Sequence, residues 1–408
     1  MGAGDLKVGV DTGFFRGPAT GVVNYTLNLM KSALHLEPEL RYIGLTGRVW
    51  HNTDCGDFGP ISAQEPHADD EGPAGRYVKT RLARLRNAAA RISVLRSARS
   101  SARKIRTAFR SSASKTSFDL FHAFNFLPPF DLGVPVLPVV YDLSTFRYPE
   151  FHPVDRVEWL AGLEACIKRA PVVQTISEFS RREIVELFGY SAERIFVAPP
   201  AAAPVFAPRG EAETSRNLAP FGLKTGQYFL SVGTLEPRKN YRTLIAAYAE
   251  LAPAARAQCP LVIVGEKGWG NLNLPRQADS LRADGSLRFL EGIRNLKLSS
   301  LYEGARLVLM PSFYEGFGMP IVEALACGTP VAFTANSSMI EIAADLGRTA
   351  PAQDVDAWNS ILKVALAGHE HLDEELRELR IRRARTFDWD RSAGLVLDAY
   401  RDLNSMQR

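Results

Sequence analysis

Short apolar runs recur along this chain, and almost every one gives way to a turn and then to a segment with helical spacing. Runs at 6–10, 41–45, 120–124, 136–142, 172–176 and 195–197 read as strands, and residues 153–169 and 178–188 as helices between them. A second series follows at 228–232, 261–264, 287–290, 307–310 and 331–334, and the last helix runs from 388 to about 403. Strands alternating with helices build a mostly parallel sheet covered on both faces. The chain of 408 residues is too long for one ordinary core. Two doubly wound α/β domains facing a cleft are therefore expected: 1–198, a Pro-rich linker at 199–212, 213–387, and a final helix at 388–408. Residues 50–75, rich in Gly, Pro, Asp and His, read as loop.

Charge narrows the partners. The formal net charge is only +4, but thirteen Lys or Arg fall between Arg76 and Lys115, and no acidic residue lies between Gly72 and Phe118. This basic helical stretch, 76–115, reads either as a solvated helix on the first domain or as a patch for an anionic membrane surface, where each cation contributes about 1 kcal/mol. Its aromatics, Tyr77 and Phe109, are too few for base stacking, so nucleic acid is not an expected partner. The N-terminus has no signal-peptide pattern and no transmembrane run is present, so a cytoplasmic location is expected, peripheral on the inner membrane face if the basic stretch binds there. Cys55, Cys166, Cys259 and Cys327 are too widely spaced for a zinc motif and read as reduced thiols.

Two segments carry the chemistry. Glu315-Gly316-Phe317-Gly318-Met319-Pro320 follows a strand and opens a helix that ends near Gly328. Glycines there allow close approach of a ligand, and the free N–H groups of a helix start suit an anion. Glu315 and Glu323 are odd partners for phosphate but suit hydroxyls on a sugar and a ribose. The second segment is Ser231-Val232-Gly233-Thr234-Leu235-Glu236-Pro237-Arg238-Lys239-Asn240, where a guanidinium fork and an ammonium stand at a strand end, a cradle for a diphosphate. Asp388-Trp389-Asp390 has the letters of a metal-binding Asp-x-Asp but precedes a helix, where such residues act as caps.

Taken jointly, Glu315 and Glu323 at their spacing, Gly233 to Asn240, and Val264-Gly265-Glu266-Lys267-Gly268-Trp269 resemble family 4 of the retaining glycosyltransferases, of GT-B fold, and most closely bacterial mannosyltransferase-like enzymes of O-antigen and other surface polysaccharides. The resemblance covers nearly all of 1–408, strongly over 228–335 and loosely over 46–117, and it implies that the final helix, 388–408, crosses back to the first domain. It implies that Arg238 and Lys239 neutralise a leaving diphosphate, that Glu315 faces the transferred sugar and Glu323 holds the ribose, and that Gly316, Phe317, Gly318 and Met319 offer N–H groups. Asp142 joins the expected catalytic set. Gly233 and Thr234 shape the donor site, and Gly21, opening the first helix behind Gly13, approaches the donor or acceptor. Many relatives carry His-Asp where this chain has Tyr141-Asp142. Tyr141 can still hydrogen-bond a sugar or phosphate, but a phenol with a pKa of about 10 is no neutral-pH acid or base. His122 is open as its substitute or as a structural residue.

The expected activity is thus retaining, metal-independent transfer of a hexose, mannose first, from a nucleoside diphosphate sugar, GDP first, to a glycan or lipid-linked saccharide hydroxyl, with no cofactor. A UDP- or dTDP-sugar transferase of rhamnose, fucose or glucose is the alternative. A catalytically silent nucleotide-sugar-binding scaffold is the alternative of another class.

Overall fold

The computed structural model describes residues 6–16, 21–46, 49–53, 118–129 and 131–406. The basic stretch 76–115 lies outside the described residues.

Two mostly parallel sheets form, with their central strands buried on both faces. The first contains β1 (Lys7–Asp11), β2 (Arg41–Thr46), β3 (Val49–Thr53), β4 (Leu120–Ala123), β5 (Val136–Val140), β6 (Val173–Thr175) and β7 (Ile195–Val197), in the order β3-β2-β1-β4-β5-β6-β7. The second contains β8 (Phe229–Val232), β9 (Leu261–Val264), β10 (Leu287–Leu290), β11 (Leu307–Met310), β12 (Val331–Thr334) and β13 (Gly347–Ala350), in the order β10-β9-β8-β11-β12-β13. β4, β9, β11 and β12 are buried at every position, which is why they read as continuous apolar runs rather than alternations. In each sheet the chain order reverses beside the first strand, between β1 and β4 and between β8 and β11. Such reversals open a crevice at the strand C-termini, and the candidate residues sit there.

Three expectations need correction. Residues 49–53, within or beside the presumed loop at 50–75, form β3, which pairs antiparallel with β2 from Thr46↔Val49 to Tyr42↔Thr53. A hairpin partner supplied the order that the local composition did not. The helix expected at 153–169 is two, Val154–Leu160 and Leu163–Arg169, broken at Ala161-Gly162. The edge strand β13, Gly-Arg-Thr-Ala, has exposed central residues and no apolar run to betray it. The helix Glu178–Phe188 has the expected bounds: the Ser177 side chain accepts from Ser180 N–H, and Gly189 adopts φ 62° after the last turn.

The last helix, Trp389–Ser405, returns to the first domain and packs along Gly21–Leu36. Asp388 caps it by accepting from Arg391 N–H (2.8 Å). Ser392 Oγ donates to the Pro199 carbonyl (2.7 Å), and Trp389 lies edge-on to Tyr25. Tyr400 hydroxyl meets His122 Nδ1 at 2.6 Å. His122 is fully buried and stacked on Phe124, and burial lowers its pKa to about 3. It is a structural histidine.

Candidate active site

The turn after β8 places four charged groups together. Pro237–Lys239 forms a single 3-10 turn, ended by Asn240 at φ 56°, before the helix Tyr241–Ala249. The Asn240 amide holds this left-handed turn by donating to the carbonyls of Pro311 (3.0 Å) and Ala352 (2.6 Å). The turn aims Arg238 and Lys239 at the segment after β11. Arg238 donates to Glu315 Oε2 (2.8 Å) and to the Tyr314 carbonyl (2.6 Å), and Lys239 Nζ donates to Glu315 Oε1 (2.7 Å). A second carboxylate, Glu236, is 2% exposed and pairs with Arg238 through Oε1.

These groups are buried, so their charges matter more than surface charges do. Burial alone would push the Glu315 carboxyl up, but Arg238 and then Lys239 outweigh it and hold it near 2. Burial works against the Arg238 charge, yet Glu315, Glu236 and Asp142 keep its pKa above the usual guanidinium value. Two cations and two carboxylates thus sit at the strand ends, with both Glu315 oxygens engaged. Glu236 was not singled out from sequence; its place between Leu235 and Pro237 looks like an ordinary turn residue.

The helix Met319–Ala326 starts beside this cluster. Gly318 precedes it at φ 103°, a conformation that favours glycine, and Pro320 occupies its first turn. Among the described residues, none accepts a hydrogen bond from the N–H groups of Gly316, Phe317, Gly318 or Met319. The Phe317 ring is buried edge-on to Phe387. Glu323, one turn in, accepts from the Tyr302 hydroxyl (2.7 Å), and burial raises its pKa to about 7. Gly233 accepts from the Tyr241 hydroxyl (2.7 Å), and Thr234 beside it is exposed.

From the first domain, Asp142 and the Tyr141 backbone face this segment. Asp142 Oδ1 accepts from Ser144 N–H (3.0 Å) and Oγ (2.6 Å), and its charge is felt by Arg238. The Tyr141 ring turns away from the cleft. It packs edge-on against Tyr25 and Phe126, 7% exposed, with its hydroxyl buried beside the Thr26 side chain. Burial raises its pKa above the ordinary phenol value. The expected role of this side chain toward a sugar is therefore not supported by its orientation; the backbone carbonyl is what reaches the cleft. Gly21 opens the helix Gly21–Leu36, where among the described residues nothing lies within 4 Å of a Cβ placed on it, and Asp11 Oδ1 accepts from Gly13 N–H (2.8 Å).

The domains touch at several further points. Tyr314 hydroxyl accepts from Leu143 N–H (3.2 Å) beside the Arg147–Glu183 pair, which is forked at 2.8 and 2.7 Å. Glu341 accepts from Glu178 and Phe179 N–H (2.9 Å each), capping a first-domain helix from the second domain. Trp269 Nε1 donates to the Phe151 carbonyl (2.8 Å), and Phe151 stacks on Phe313. Among the described residues, no group of three or more His, Cys, Asp and Glu is arranged to hold a metal ion, and no helix is long and apolar enough to cross a membrane.

Two doubly wound domains with paired cations and a bare helix start between them define the GT-B class of glycosyltransferases. The chain belongs to the family described as glycosyl transferases group 1, whose profile matches residues 216–385. It is 36% identical over 287 residues to O-antigen chain mannosyltransferase B of Escherichia coli, covering 69% of this chain and 74% of that protein. It is 28% identical over 282 residues to D-inositol 3-phosphate glycosyltransferase of Gordonia bronchialis, covering 66% of this chain but only 61% of that protein. Among solved structures it is similar to sucrose-phosphate synthase from Thermosynechococcus elongatus (TM-score 0.65, 20% identity, 98% of this chain and 100% of that one). It is also similar to WaaG, a glycosyltransferase involved in lipopolysaccharide biosynthesis (TM-score 0.63, 17% identity, 97% and 99%). A third is Anabaena HepE in complex with UDP-glucose (TM-score 0.65, 16% identity, 97% and 100%). These structures share the fold.

Proposed function

We propose that this glycosyltransferase moves a mannosyl group from GDP-mannose to a hydroxyl of a glycan or lipid-linked saccharide, with retention of the anomeric configuration and without a metal ion or cofactor. The observation that carries the reading is the Arg238–Lys239 pair at the end of β8, set against the unbonded N–H groups that open the helix at Met319. Preorganised cations and a helix start at one place suit a leaving group that gains negative charge. Mannose is favoured by the name of the Escherichia coli relative. The HepE complex, with UDP-glucose, supports a nucleotide sugar as the donor class and keeps UDP-glucose as the alternative to test.

In this reading the bond between the anomeric carbon and the diphosphate oxygen breaks as the acceptor oxygen bonds the same face of that carbon. The acceptor proton passes to the departing diphosphate. Arg238 and Lys239 meet the diphosphate, shifting part of their bonding from Glu315 to it. Glu323 accepts from ribose hydroxyls, and Glu315 stays beside the transferred sugar. Asp142 faces the sugar from the first domain. Gly233, Thr234 and Gly316 to Met319 bring backbone close to the donor, and Gly21 lies on the acceptor side. The direct test is product formation from GDP-mannose, UDP-glucose, dTDP-rhamnose and GDP-fucose with mannosylated acceptors, in buffer with EDTA. A mannosylated product with unchanged anomeric configuration supports the reading; consumption of a different donor, or activity abolished by EDTA and restored by a divalent ion, overturns the corresponding part.

A further inference from the structure

His152 is the described histidine whose surroundings do not explain it. It is 8% exposed, and among the described residues neither ring nitrogen has a hydrogen-bond partner. By contrast His122, fully buried, has its Nδ1 on Tyr400. Buried polar atoms are nearly always bonded, and leaving one unbonded costs about 1–3 kcal/mol.

Its place in the fold is the cleft. His152 ends the turn that follows Pro149–Phe151, before the helix Val154–Leu160, on the first-domain side. The second domain clamps that turn through Trp269 on the Phe151 carbonyl and Phe313 on the Phe151 ring (centroids 5.1 Å). The His152 ring lies 6.1 Å from the Trp269 ring, and the Arg156 guanidinium covers that indole at 5.5 Å. Phe313 stands two residues before Glu315, so the clamp ties His152 to the strand end that holds the charged cluster. Four charged groups act on the imidazole: Asp142 and Glu150 favour its protonation, Arg156 and Arg238 oppose it. Burial is the largest influence, and the pKa falls to about 4. The ring is uncharged at neutral pH.

We propose that His152 hydrogen-bonds a hydroxyl of the transferred sugar, as a donor-contacting residue beside Asp142. A neutral imidazole offers one N–H and one lone pair. A hydroxyl also both donates and accepts, so the two match. A diphosphate only accepts, and Arg238 and Lys239 already provide charge for it. The inference rests on the nucleotide-sugar reading given above and assigns a sugar contact that the sequence pattern did not single out.

The experiment uses the full chain and His152→Gln, which keeps a donor and an acceptor, and His152→Leu, which keeps neither. The probes are GDP and GDP-mannose, with UDP and UDP-glucose as the second pair. Binding of the sugar-free nucleotide is measured by calorimetry, and kcat and KM with the nucleotide sugar. The expected result for His152→Leu is an unchanged Kd for the nucleoside diphosphate and a fall of about tenfold in kcat/KM, the worth of one uncharged hydrogen bond; His152→Gln recovers part of it. Equal kcat/KM in wild type and both variants overturns the proposal, as does a parallel loss in nucleoside diphosphate affinity. If His152→Leu does not fold, His152→Gln and His152→Asn decide by the same comparison of sugar-bearing against sugar-free ligand. Wild-type protein that binds neither nucleotide pair overturns the nucleotide-sugar reading itself, a result distinct from wild-type binding that is indifferent to His152.

Discussion

A Cβ placed on Gly316 would lie 2.1 Å from the carbonyl oxygen of Tyr141, so the two domains meet there backbone to backbone. Asp142 Cβ would be 2.8 Å away. No rotamer change relieves a clash between a Cβ and a main-chain carbonyl, so Gly316→Ala has to part the domains. The expected result is a loss of about 1–3 kcal/mol in stability together with reduced turnover. Thermal melting and kinetics on the same preparation check it; an unchanged melting midpoint contradicts the close approach.

Arg238→Ala removes a cation from between two buried carboxylates. Turnover is expected to fall on the order of a hundredfold or more. Stability is expected to fall by about 3 kcal/mol, because Glu236 is left buried and unpaired. The double variant Arg238→Ala/Glu236→Gln should regain stability in chemical denaturation while turnover stays low. If both recover together, the loss in the single variant was structural and Arg238 does not act on the donor.

Tyr141→Phe tests the orientation of that ring. The hydroxyl is buried beside the Thr26 side chain, so deleting it is expected to change stability by no more than about 1 kcal/mol. Donor KM and kcat should stay within about twofold if the ring serves only the core. A drop of tenfold or more in kcat/KM would show that the hydroxyl reaches substrate.

Glu323 gives a pH signature. Its carboxyl is raised from 4.5 to about 7 in the folded protein. The folded state therefore holds a proton that the unfolded state has lost, and the associated stability is present below about pH 4.5 and lost as pH rises through 7. Denaturant midpoints of wild type and Glu323→Gln, measured between pH 4.5 and 7.5, should diverge as pH rises, with the wild type losing ground. Glu315 has the opposite sign: lowered to about 2, it contributes stability above 4.5 that is lost on acidification. That contribution is common to both proteins and cancels in the comparison. Parallel curves would contradict the burial of Glu323.

Most strands were legible because a parallel sheet buries both faces and leaves runs such as Leu261 to Val264 or Leu307 to Met310. β3 and β13 were not, since an edge strand draws its order from a partner rather than from its own apolar residues. The cation pair was legible in the same way, as two charges placed at a strand end. His152 was not: in sequence it is one histidine in Glu-Phe-His-Pro, and only the docked second domain sets Trp269 beside its ring and Phe313 on the neighbouring Phe151. Glu236 became notable only through its burial and its pairing with Arg238.

By itself the sequence determined what is local and periodic: the alternation of strands and helices, the caps at Ser177 and Asp388, the glycines before the helix at Met319, and the side chains available for an anion. The tertiary structure decided which side chains share a cleft. It turned the Tyr141 ring into the core, joined both oxygens of Glu315 to Arg238 and Lys239, and brought Trp269 over His152. Backbone preference and burial period act within a few residues, whereas contacts between residues distant in the chain depend on how strands and helices pack within each domain, as for Tyr141 on Tyr25 and Arg238 on Glu315, and on how the two domains dock, as for Trp269 beside His152.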